Sequence, residues 1–237
     1  GEPHILGLNA GAALAVGIAS ALGGQWGGLL LGRPLIAAGG AAALFALVML
    51  LASAGRSGLT PLKVTLCGVA VSSFASSVTA AILILDEQTL MEIRTWLAGD
   101  LAGLSWAVTR AAALPGAVGM VLALWIAPRL NVLALGDVIA SGLGVNSVRT
   151  RLLGLLATAL LCGAAVSVAG PIGFIGLVVP HIVRRLITDD IRLAIPLSAL
   201  CGALLLLLAD IAARTLIAPQ ELATGVMTAL VGAPVFI

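Results

Sequence analysis

Six long stretches of this sequence contain no Asp, Glu, Lys or Arg, and they limit what the chain can fold into more than any other feature. They cover residues 3–32, 34–55, 64–85, 111–128, 152–183 and 193–209. A helix needs roughly 20 apolar residues, with a range of about 17 to 25, to cross the hydrocarbon core of a bilayer. Each stretch is therefore long enough to cross a membrane. The first and the fifth are long enough to contain a turn or a broken helix as well.

Composition supports the same class. Hydrophobic residues make up 61% of the 237 positions and charged residues 9%. A soluble domain carries about 25% charged residues, so this chain could not cover a water-facing surface of its own. We predict an all-α fold, a polytopic transmembrane helical bundle that forms a single domain over residues 1–237. The predicted spans are 5–22, 35–54, 61–85, 107–127, 151–169, a short one at 173–187, 193–216 and 222–237.

The basic residues predict the orientation of this bundle. Three connections hold eight of the twelve, so the positive-inside rule places those connections in the cytoplasm. They are 54–63, 128–151 and 181–192, with Arg56, Lys63, Arg129, Arg149, Arg151, Arg184, Arg185 and Arg192. The tryptophans fall near predicted span ends, where interfacial indoles are common, at Trp26, Trp96, Trp106 and Trp125.

The missing residue types exclude several kinds of chemistry. The single lysine, Lys63, does not belong to a G-x-x-x-x-G-K-[ST] sequence, so the chain does not bind ATP in that manner. Neither H-E-x-x-H nor a G-x-S-x-G with a partner histidine occurs, and we expect no catalytic residue, no metal site and no cofactor. No clustered basic face indicates a nucleic-acid partner. The span interiors also lack the ionisable relay of a proton-coupled carrier, except for Asp210, which shares a helix face with Arg214.

Two stretches break the apolar pattern. In "GPIGFIGLVVPHIVRRL" (170–186), glycine and proline interrupt the helix and basic residues follow, which predicts a short broken helix that leaves the membrane at Arg184 and Arg185. His181 is either an interfacial hydrogen-bonding residue or a contact to a partner. The stretch at 135–151 is polar enough to leave the membrane. It keeps an apolar pattern that predicts a short amphipathic helix, capped by Gly144 or by Gly142.

Four stretches, taken together, resemble one known family. They are "EPHILGLNAGAALAV" (2–16), "LNVLALGDVIASGLGVNSVRTR" (130–151), "GPIGFIGLVVPHIVRRL" (170–186) and "ALLLLLADIAARTLIAPQELATGVMTALVGAPVFI" (203–237). In this order they are similar to the iron-siderophore and vitamin B12 permeases of bacterial ABC importers, the type II importer or FecCD family. Members of that family have ten spans. The resemblance therefore implies that about two spans precede this chain and that its last helix continues beyond it.

The resemblance also implies roles for particular residues. The loop at about 130–151 is the family's coupling element, which docks on the ATPase, and its matching residues are Leu135, Gly136, Asp137, Ala140, Ser141, Gly142, Leu143, Gly144 and Val145. Thr60 and Pro61 match the cytoplasmic gate. Arg214 matches a docking point for the substrate-binding protein. His181, Arg184 and Arg185 form a cytoplasmic anchor.

The function that the resemblance implies is transport. The chain is expected to be a multi-pass permease subunit in the bacterial inner (plasma) membrane that moves a ferric siderophore, with cobalamin or haem as the alternative cargo. Its expected partners are ABC ATPase subunits, a periplasmic or lipoprotein substrate-binding protein, a second permease copy or paralogue, and membrane lipid. An ion-coupled secondary carrier and a non-transporting scaffold are the rival interpretations. Homodimer and heterodimer are both compatible with the sequence.

Overall fold

The computed structural model describes residues 7–22, 32–54, 60–101, 104, 106–216 and 222–235. Helices occupy most of this part of the chain. They are α1 (Leu8–Ala21), α2 (Gly32–Ser53), α3 (Pro61–Leu85), α4 (Glu87–Leu97), α5 (Trp106–Ala134), α6 (Asp137–Gly142), α7 (Ser147–Ala169), α8 (Ile175–Leu186), α9 (Ile191–Thr215) and α10 (Thr224–Val235).

Each predicted span contains a helix, and five of the described helices are long and apolar enough to cross a membrane: α2, α3, α5, α7 and α9. The all-α transmembrane fold is thereby confirmed. α1, α8 and α10 are shorter, with 14, 12 and 12 residues. At 1.5 Å per residue, a helix of 12 residues is about 18 Å long, less than the roughly 30 Å of the hydrocarbon core. Residues 5–6 of the first predicted span and 236–237 of the last lie outside the described ranges.

Two features of the helices differ from the sequence prediction. The charge pattern predicts that α5 ends before Pro128, but the helix continues through this proline to Ala134. The proline removes one backbone donor, which is tolerated near the membrane boundary because water reaches the freed carbonyl. The same pattern predicts a connection at 86–106, whereas α4 forms there. Asp86 caps α4, because its carboxylate accepts hydrogen bonds from the Gln88 and Thr89 N–H groups at 3.2 and 3.4 Å.

The prediction for the tryptophans is correct in part. Trp106 and Trp125 are largely exposed, and Arg110 and Arg129 lie over their rings at 5.6 and 4.3 Å from the ring centres. Such pairs are typical of a membrane boundary. Trp96 is only 8% exposed, because α4 turns it into the core, so its indole does not face the surroundings as those of Trp106 and Trp125 do. Trp26 lies outside the described residues.

α1 and α2 cross at a pair of glycines. A Cβ built on Gly11 would lie within 3.0 Å of the Gly40 carbonyl oxygen, and a Cβ on Gly40 would lie equally close to Ala15. Two backbones approach this closely only where side chains are absent. The crossing belongs to a buried cluster that joins α1, α2, α4 and α7: Leu8, Ala12, Val16, Ala37, Ala41, Phe45, Ile93, Trp96 and Val166.

The bundle has two ends with different contents. The α6 end holds α6, the last turns of α5 and α8, and the first turn of α9. The Arg214 end holds the last turn of α9, the start of α10 and the C-terminal end of α4, where the Gly225 N–H donates to the Gly99 carbonyl oxygen at 2.7 Å. α8 and α9 form a hairpin, since Val179 and Val183 pack against Ala194.

Candidate functional site

The residues at 135–145, which we call the α6 segment, fold into a short capped helix. Gly136 precedes α6 with a φ of 109°, and the segment turns at Gly144, whose φ of 77° is left-handed. The Val145 N–H donates to the Ala140 carbonyl oxygen at 2.9 Å, which completes a Schellman C-cap around Gly144. The short helix predicted here is confirmed. Of the two candidate glycines, Gly144 takes the role of cap, because glycine adopts this φ without steric cost.

The α6 segment presents large apolar side chains to the surroundings. Val138 is 85% exposed, and Leu135 and Leu143 are 62% and 64% exposed. These three, and Ile139 at 51% exposed, lie outside the five helices that are long and apolar enough to span a membrane. Apolar side chains that protrude from the end of a bundle on a short helix form a surface suited to the groove of another protein.

The base of this protrusion is fixed. The Ala140 side chain is fully buried, and Arg151 Nη2 of α7 lies 2.9 Å from Asp137 Oδ2 of α6. Asn146 caps α7, since its Oδ1 accepts from the Arg149 N–H at 3.0 Å. The predicted coupling residues therefore occupy one held segment: Leu135, Gly136, Asp137, Ala140, Ser141, Gly142, Leu143, Gly144 and Val145. Residues 130–134 and 147–151 of the predicted loop belong to α5 and α7.

The C-terminal half of α8 carries the predicted anchor. His181, Arg184 and Arg185 are all exposed at the α6 end. Arg184 Nε lies 3.6 Å from Asp189 Oδ1, and both side chains are well solvated, so this ion pair stabilises little. The two arginines lie at the C-terminus of α8, where a positive charge is favourable to the helix dipole.

A tie between α5 and α9 at the same end has no counterpart in the sequence prediction. The Ile191 N–H donates to Asn131 Oδ1 at 2.9 Å, and Asn131 Nδ2 donates to Asp190 Oδ1. Asp190 also caps α9 by accepting from the Arg192 N–H at 2.9 Å. The bond from Arg192 and then the bond from Asn131 hold the pKa of Asp190 below its ordinary value, because they stabilise the carboxylate.

At the Arg214 end, Asp210 is shared between two helices. Arg214 Nε lies 2.9 Å from Asp210 Oδ2 and Arg214 Nη2 lies 3.3 Å from Oδ1, which confirms the predicted pair on one face of α9. The Thr224 hydroxyl of α10 donates to Asp210 Oδ1 at 2.9 Å. The Asp210 side chain is 19% exposed and the Arg214 side chain 43%. Arg214 is thus held in place while remaining accessible, which suits a docking residue.

The predicted gate residues begin α3. Thr60 is the N-cap, its Oγ1 accepting from the Lys63 N–H at 3.4 Å, and Pro61 occupies the first turn. Lys63 Nζ donates to the Ala54 carbonyl oxygen at 3.4 Å, which links the end of α2 to the start of α3. Residues 55–59 of the predicted gate turn lie outside the described ranges. In the structure, Thr60 and Pro61 act as the N-cap and first-turn residues of α3. A gating role for them stays a prediction.

The middle of one exposed face of α3 is polar, and Leu66, Val69 and Ile84 are exposed along the same face. Ser73, Ser76 and Ser77 are exposed at helical spacing along it, within a full-length span. Beyond them, α3 and α4 enclose an open groove of about 440 Å³, lined by Ala80, Leu83, Ile84, Glu87 and Leu90. A hydroxyl that faces lipid has fewer hydrogen-bond partners than one that faces water or protein. The Ser77 hydroxyl donates to the Ser73 carbonyl oxygen at 2.9 Å within its own helix, so the three serines form an uncharged polar patch on α3.

Comparison with known proteins agrees with this architecture. The profile of the FecCD transport family matches residues 1–237. The chain is 44% identical over 236 residues to the iron(3+)-hydroxamate import system permease protein FhuB of Bacillus subtilis, covering 99% of this chain and 60% of FhuB. It is 38% identical over 246 residues to the vitamin B12 import system permease protein BtuC of Vibrio cholerae, covering all of this chain and 70% of BtuC.

A solved structure is similar as well. It is described as an inward-facing conformation of a metal-chelate type ABC transporter, with a TM-score of 0.85, 30% sequence identity, and coverage of 99% of this chain and 73% of that one. The molecule is thus a multi-pass helical membrane protein with the fold of an ABC-transporter permease. The chain belongs to the FecCD transport family. It spans 60% of the length of FhuB, so the activity, cargo and partners of the whole protein are proposals.

Proposed function

We propose that this chain is the membrane-spanning permease subunit of an ABC importer that carries a ferric siderophore across the bacterial inner (plasma) membrane. It has no ATPase site of its own in this proposal, and ATP is hydrolysed on partner subunits. The observation that carries the proposal is the α6 segment. A short capped helix that exposes four large apolar side chains, at Leu135, Val138, Ile139 and Leu143, outside the five long apolar helices, is a docking element.

The ATPase subunits bind at the α6 end in this mechanism. Val138, Leu135 and Leu143 insert into a groove of the ATPase, as an amphipathic helix does when it binds a partner. The buried Ala140 and the Asp137–Arg151 pair hold the segment against the bundle, so a push on α6 moves α5 and α7 with it. ATP drives the switch only if it binds the outward-open and inward-open arrangements with different affinity.

The substrate-binding protein, periplasmic or a lipoprotein, docks at the Arg214 end. Arg214 is a partly exposed cation that Asp210 orients, and a carboxylate on the partner suits it. Charges at such a rim mainly steer the approach and fix the register of the docked complex. A second permease copy or a paralogue completes the pathway, and lipid surrounds the rest.

The uncharged polar patch on α3 supports a pathway between the two permease copies. Ser73, Ser76 and Ser77 offer hydroxyls without fixed charge, which a large polar chelate passes without being trapped. Thr60 and Pro61 lie at the start of the same helix, at the end where a gate would close. The cargo is proposed to be iron-bound because an iron(3+)-hydroxamate permease is 44% identical to this chain. The vitamin B12 permease at 38% keeps cobalamin as the alternative cargo.

The test is uptake by cells that lack the gene for this permease, compared with the same cells carrying it again. Radioactive iron is supplied as a ferric hydroxamate, a ferric catecholate, ferric citrate or haem, and labelled cobalamin is supplied in parallel. We expect loss and rescue of uptake for at least one ferric siderophore, and dependence on ATP. If siderophore and citrate uptake are unchanged while cobalamin or haem uptake is lost, the cargo is cobalamin or haem and not a ferric siderophore. Uptake that survives ATP depletion but stops with the proton gradient would favour an ion-coupled carrier.

A matched pair of variants tests the docking segment in the same cells. Val138→Glu places a charge on a side chain that is 85% exposed, so the isolated fold should tolerate it. We expect normal amounts in the membrane but little uptake, because a carboxylate would have to be buried in the ATPase groove. Val138→Leu keeps an apolar contact and should transport normally. Normal uptake by Val138→Glu would show that the α6 segment does not dock in a groove of the ATPase.

A further inference from the structure

Among the five long apolar helices of the described residues, α9 has the smallest buried fraction. Only 6% of its most apolar 18-residue stretch is buried, compared with 22–28% in the other four spans. Its first and last turns are instead joined to neighbouring helices by polar side chains. Asn131 of α5 binds its first turn, and Thr224 of α10 binds Asp210 near its last. α9 also packs against α8 and α10 along its length, but its polar contacts to other helices lie at its two ends.

Asn131 makes two bonds of different kinds at the start of α9. Its amide oxygen accepts from the Ile191 N–H, which is one of the donors that a helix leaves unsatisfied at its N-terminus. Its amide nitrogen donates to the Asp190 carboxylate, a charge-assisted bond. The two partners fix the orientation of the amide, because a carboxylate accepts and a backbone N–H donates. These groups are 59 and 60 residues apart in the sequence.

The other side of this tie leads directly to α6. Asn131 lies in the last turn of α5, and only Leu135 and Gly136 separate α5 from α6. α9 continues for 25 residues from the tie to Thr215, about 37 Å at 1.5 Å per residue. That length takes it across the bundle to Arg214, the proposed docking residue.

We propose that Asn131 is a positioning residue that makes α9 follow the end of α5, so that a displacement of α6 reaches Arg214 at the opposite end of the molecule. This inference rests on the proposed function. Energetic coupling between distant sites needs a continuous set of rigid elements and specific contacts. Here the set is α6, the last turn of α5, the Asn131–Asp190 tie, and α9 with Asp210. Coupling of binding free energies is reciprocal, so a protein that binds at Arg214 should also change how tightly the ATPase subunits engage α6 through the same tie. The ATPase rate is used here as the readout of that change.

The test uses the complete transporter in lipid nanodiscs, with its ATPase subunits and its substrate-binding protein. The ATPase rate is measured with and without the loaded binding protein, and the ratio is the stimulation factor. Asn131→Asp keeps the acceptor for the Ile191 N–H, but it places a second carboxylate against that of Asp190, so the two groups repel. Asn131→Asp combined with Asp190→Asn exchanges the two groups and restores a donor facing a carboxylate. Thr188→Val is the control, since Thr188 Oγ1 accepts from the Asp190 N–H at 3.1 Å within the same loop and is not part of the tie to α5.

We expect Asn131→Asp to lower the stimulation factor by about fivefold or more, the lower end of the range typical of coupled sites, with little change in the rate without binding protein. The double variant should recover the wild-type factor, and Thr188→Val should keep it. If Asn131 had a purely structural role, Asn131→Asp would lower the amount of assembled transporter. The stimulation factor of the transporter that does assemble would not change. If Asn131→Asp does not assemble, the double variant is the decisive test. Recovery of both assembly and stimulation in the double variant supports the tie. If neither recovers, the proposal is overturned.

The failure of this inference is distinguishable from the failure of the proposed function. If the wild-type complex shows neither stimulation nor ATP-dependent uptake, the proposed function is wrong and the inference is overturned with it. If the wild type is stimulated and Asn131→Asp is stimulated equally, α9 does not need the tie. The inference alone is then overturned.

Discussion

Two adjacent glycines in α2 give a direct test of how the helices pack. A Cβ built on Gly40 would lie within 3.0 Å of Ala15 Cβ and of the Gly11 carbonyl oxygen, both on α1. A Cβ built on Gly39 would meet nothing within 4 Å. Gly40→Ala and Gly39→Ala thus add the same methyl group to the same helix, one into the crossing and the other onto an exposed surface.

The size of the difference follows from this geometry. An ordinary Cβ contact begins at 3.4 Å, and real Cβ atoms essentially never lie within 3.0 Å of another heavy atom, so the methyl on Gly40 requires α1 and α2 to move apart. The nearest atoms are a backbone oxygen and a Cβ, neither of which rotates away. Overpacking of this kind costs about 1–3 kcal/mol. Replacing Gly by Ala within a helix contributes about 0.5–1 kcal/mol of stability in both variants, so their difference isolates the steric cost.

The assay is unfolding of the full-length permease in a mild detergent, followed by thermal melting and by titration with a denaturing detergent. Gly39→Ala should be as stable as wild type or slightly more stable, and Gly40→Ala should be less stable than Gly39→Ala by about 1–3 kcal/mol. Equal stability of the two variants would refute the reasoning, because it would mean that α1 and α2 do not touch at Gly40.

Three further predictions concern the ends of the bundle. Gly144→Ala should destabilise the α6 segment by about 1–2 kcal/mol, the cost of a left-handed φ with a side chain, and raise its amide hydrogen exchange; Gly142→Ala, where a Cβ meets nothing within 4 Å, should not. Asp210→Asn should weaken binding of the substrate-binding protein in a pull-down, though less than Arg214→Ala, because it leaves the cation present but poorly oriented. The pKa of Asp190 lies below its ordinary 3.8, so its carboxylate stabilises the fold above that value and the contribution is lost as the pH falls through the lowered pKa. The melting temperature of wild type should therefore approach that of Asp190→Asn below about pH 4, and the difference between them should stay constant from about pH 6 to 8.

The spans were predictable because charge marks their ends. The charge-free stretch at 64–85 stops at Asp86, and α3 stops there too, since the Asp86 carboxylate caps the next helix. The cap of the α6 segment was predictable for a similar local reason, because a left-handed residue after a short helix is usually glycine. In both cases the information lies within a few residues of the feature.

The rest was not predictable because its causes are not local. α4 carries several charged residues, so its charge pattern indicates a connection; its signal was the spacing of Thr89, Ile93 and Trp96, which face the core at intervals of four and three. Asn131 and Asp190 each look like an ordinary polar residue near a helix end. Only the packing of α5 beside α9 brings them together. The Gly11–Gly40 contact likewise depends on how two helices cross, and the sequence has 29 glycines from which to choose.

Polar and apolar contacts have different roles along this bundle. Inside the spans, hydroxyls such as those of Thr79 and Thr158 donate to a carbonyl four residues earlier in their own helix, so these bonds do not join one helix to another. Small side chains set the distance between the helices there, and such surfaces permit small sliding and rotation. At the ends, where water lowers the cost of charge, directional bonds join different helices, as Asn131 does with Asp190 and Asp210 with Thr224. The separation between helices is therefore set in the middle of the bundle, and their relative register is set at its ends. That division suits a protein whose helices must move relative to one another without separating, because a change in register at one end can pass along a helix while the packing in the middle is retained.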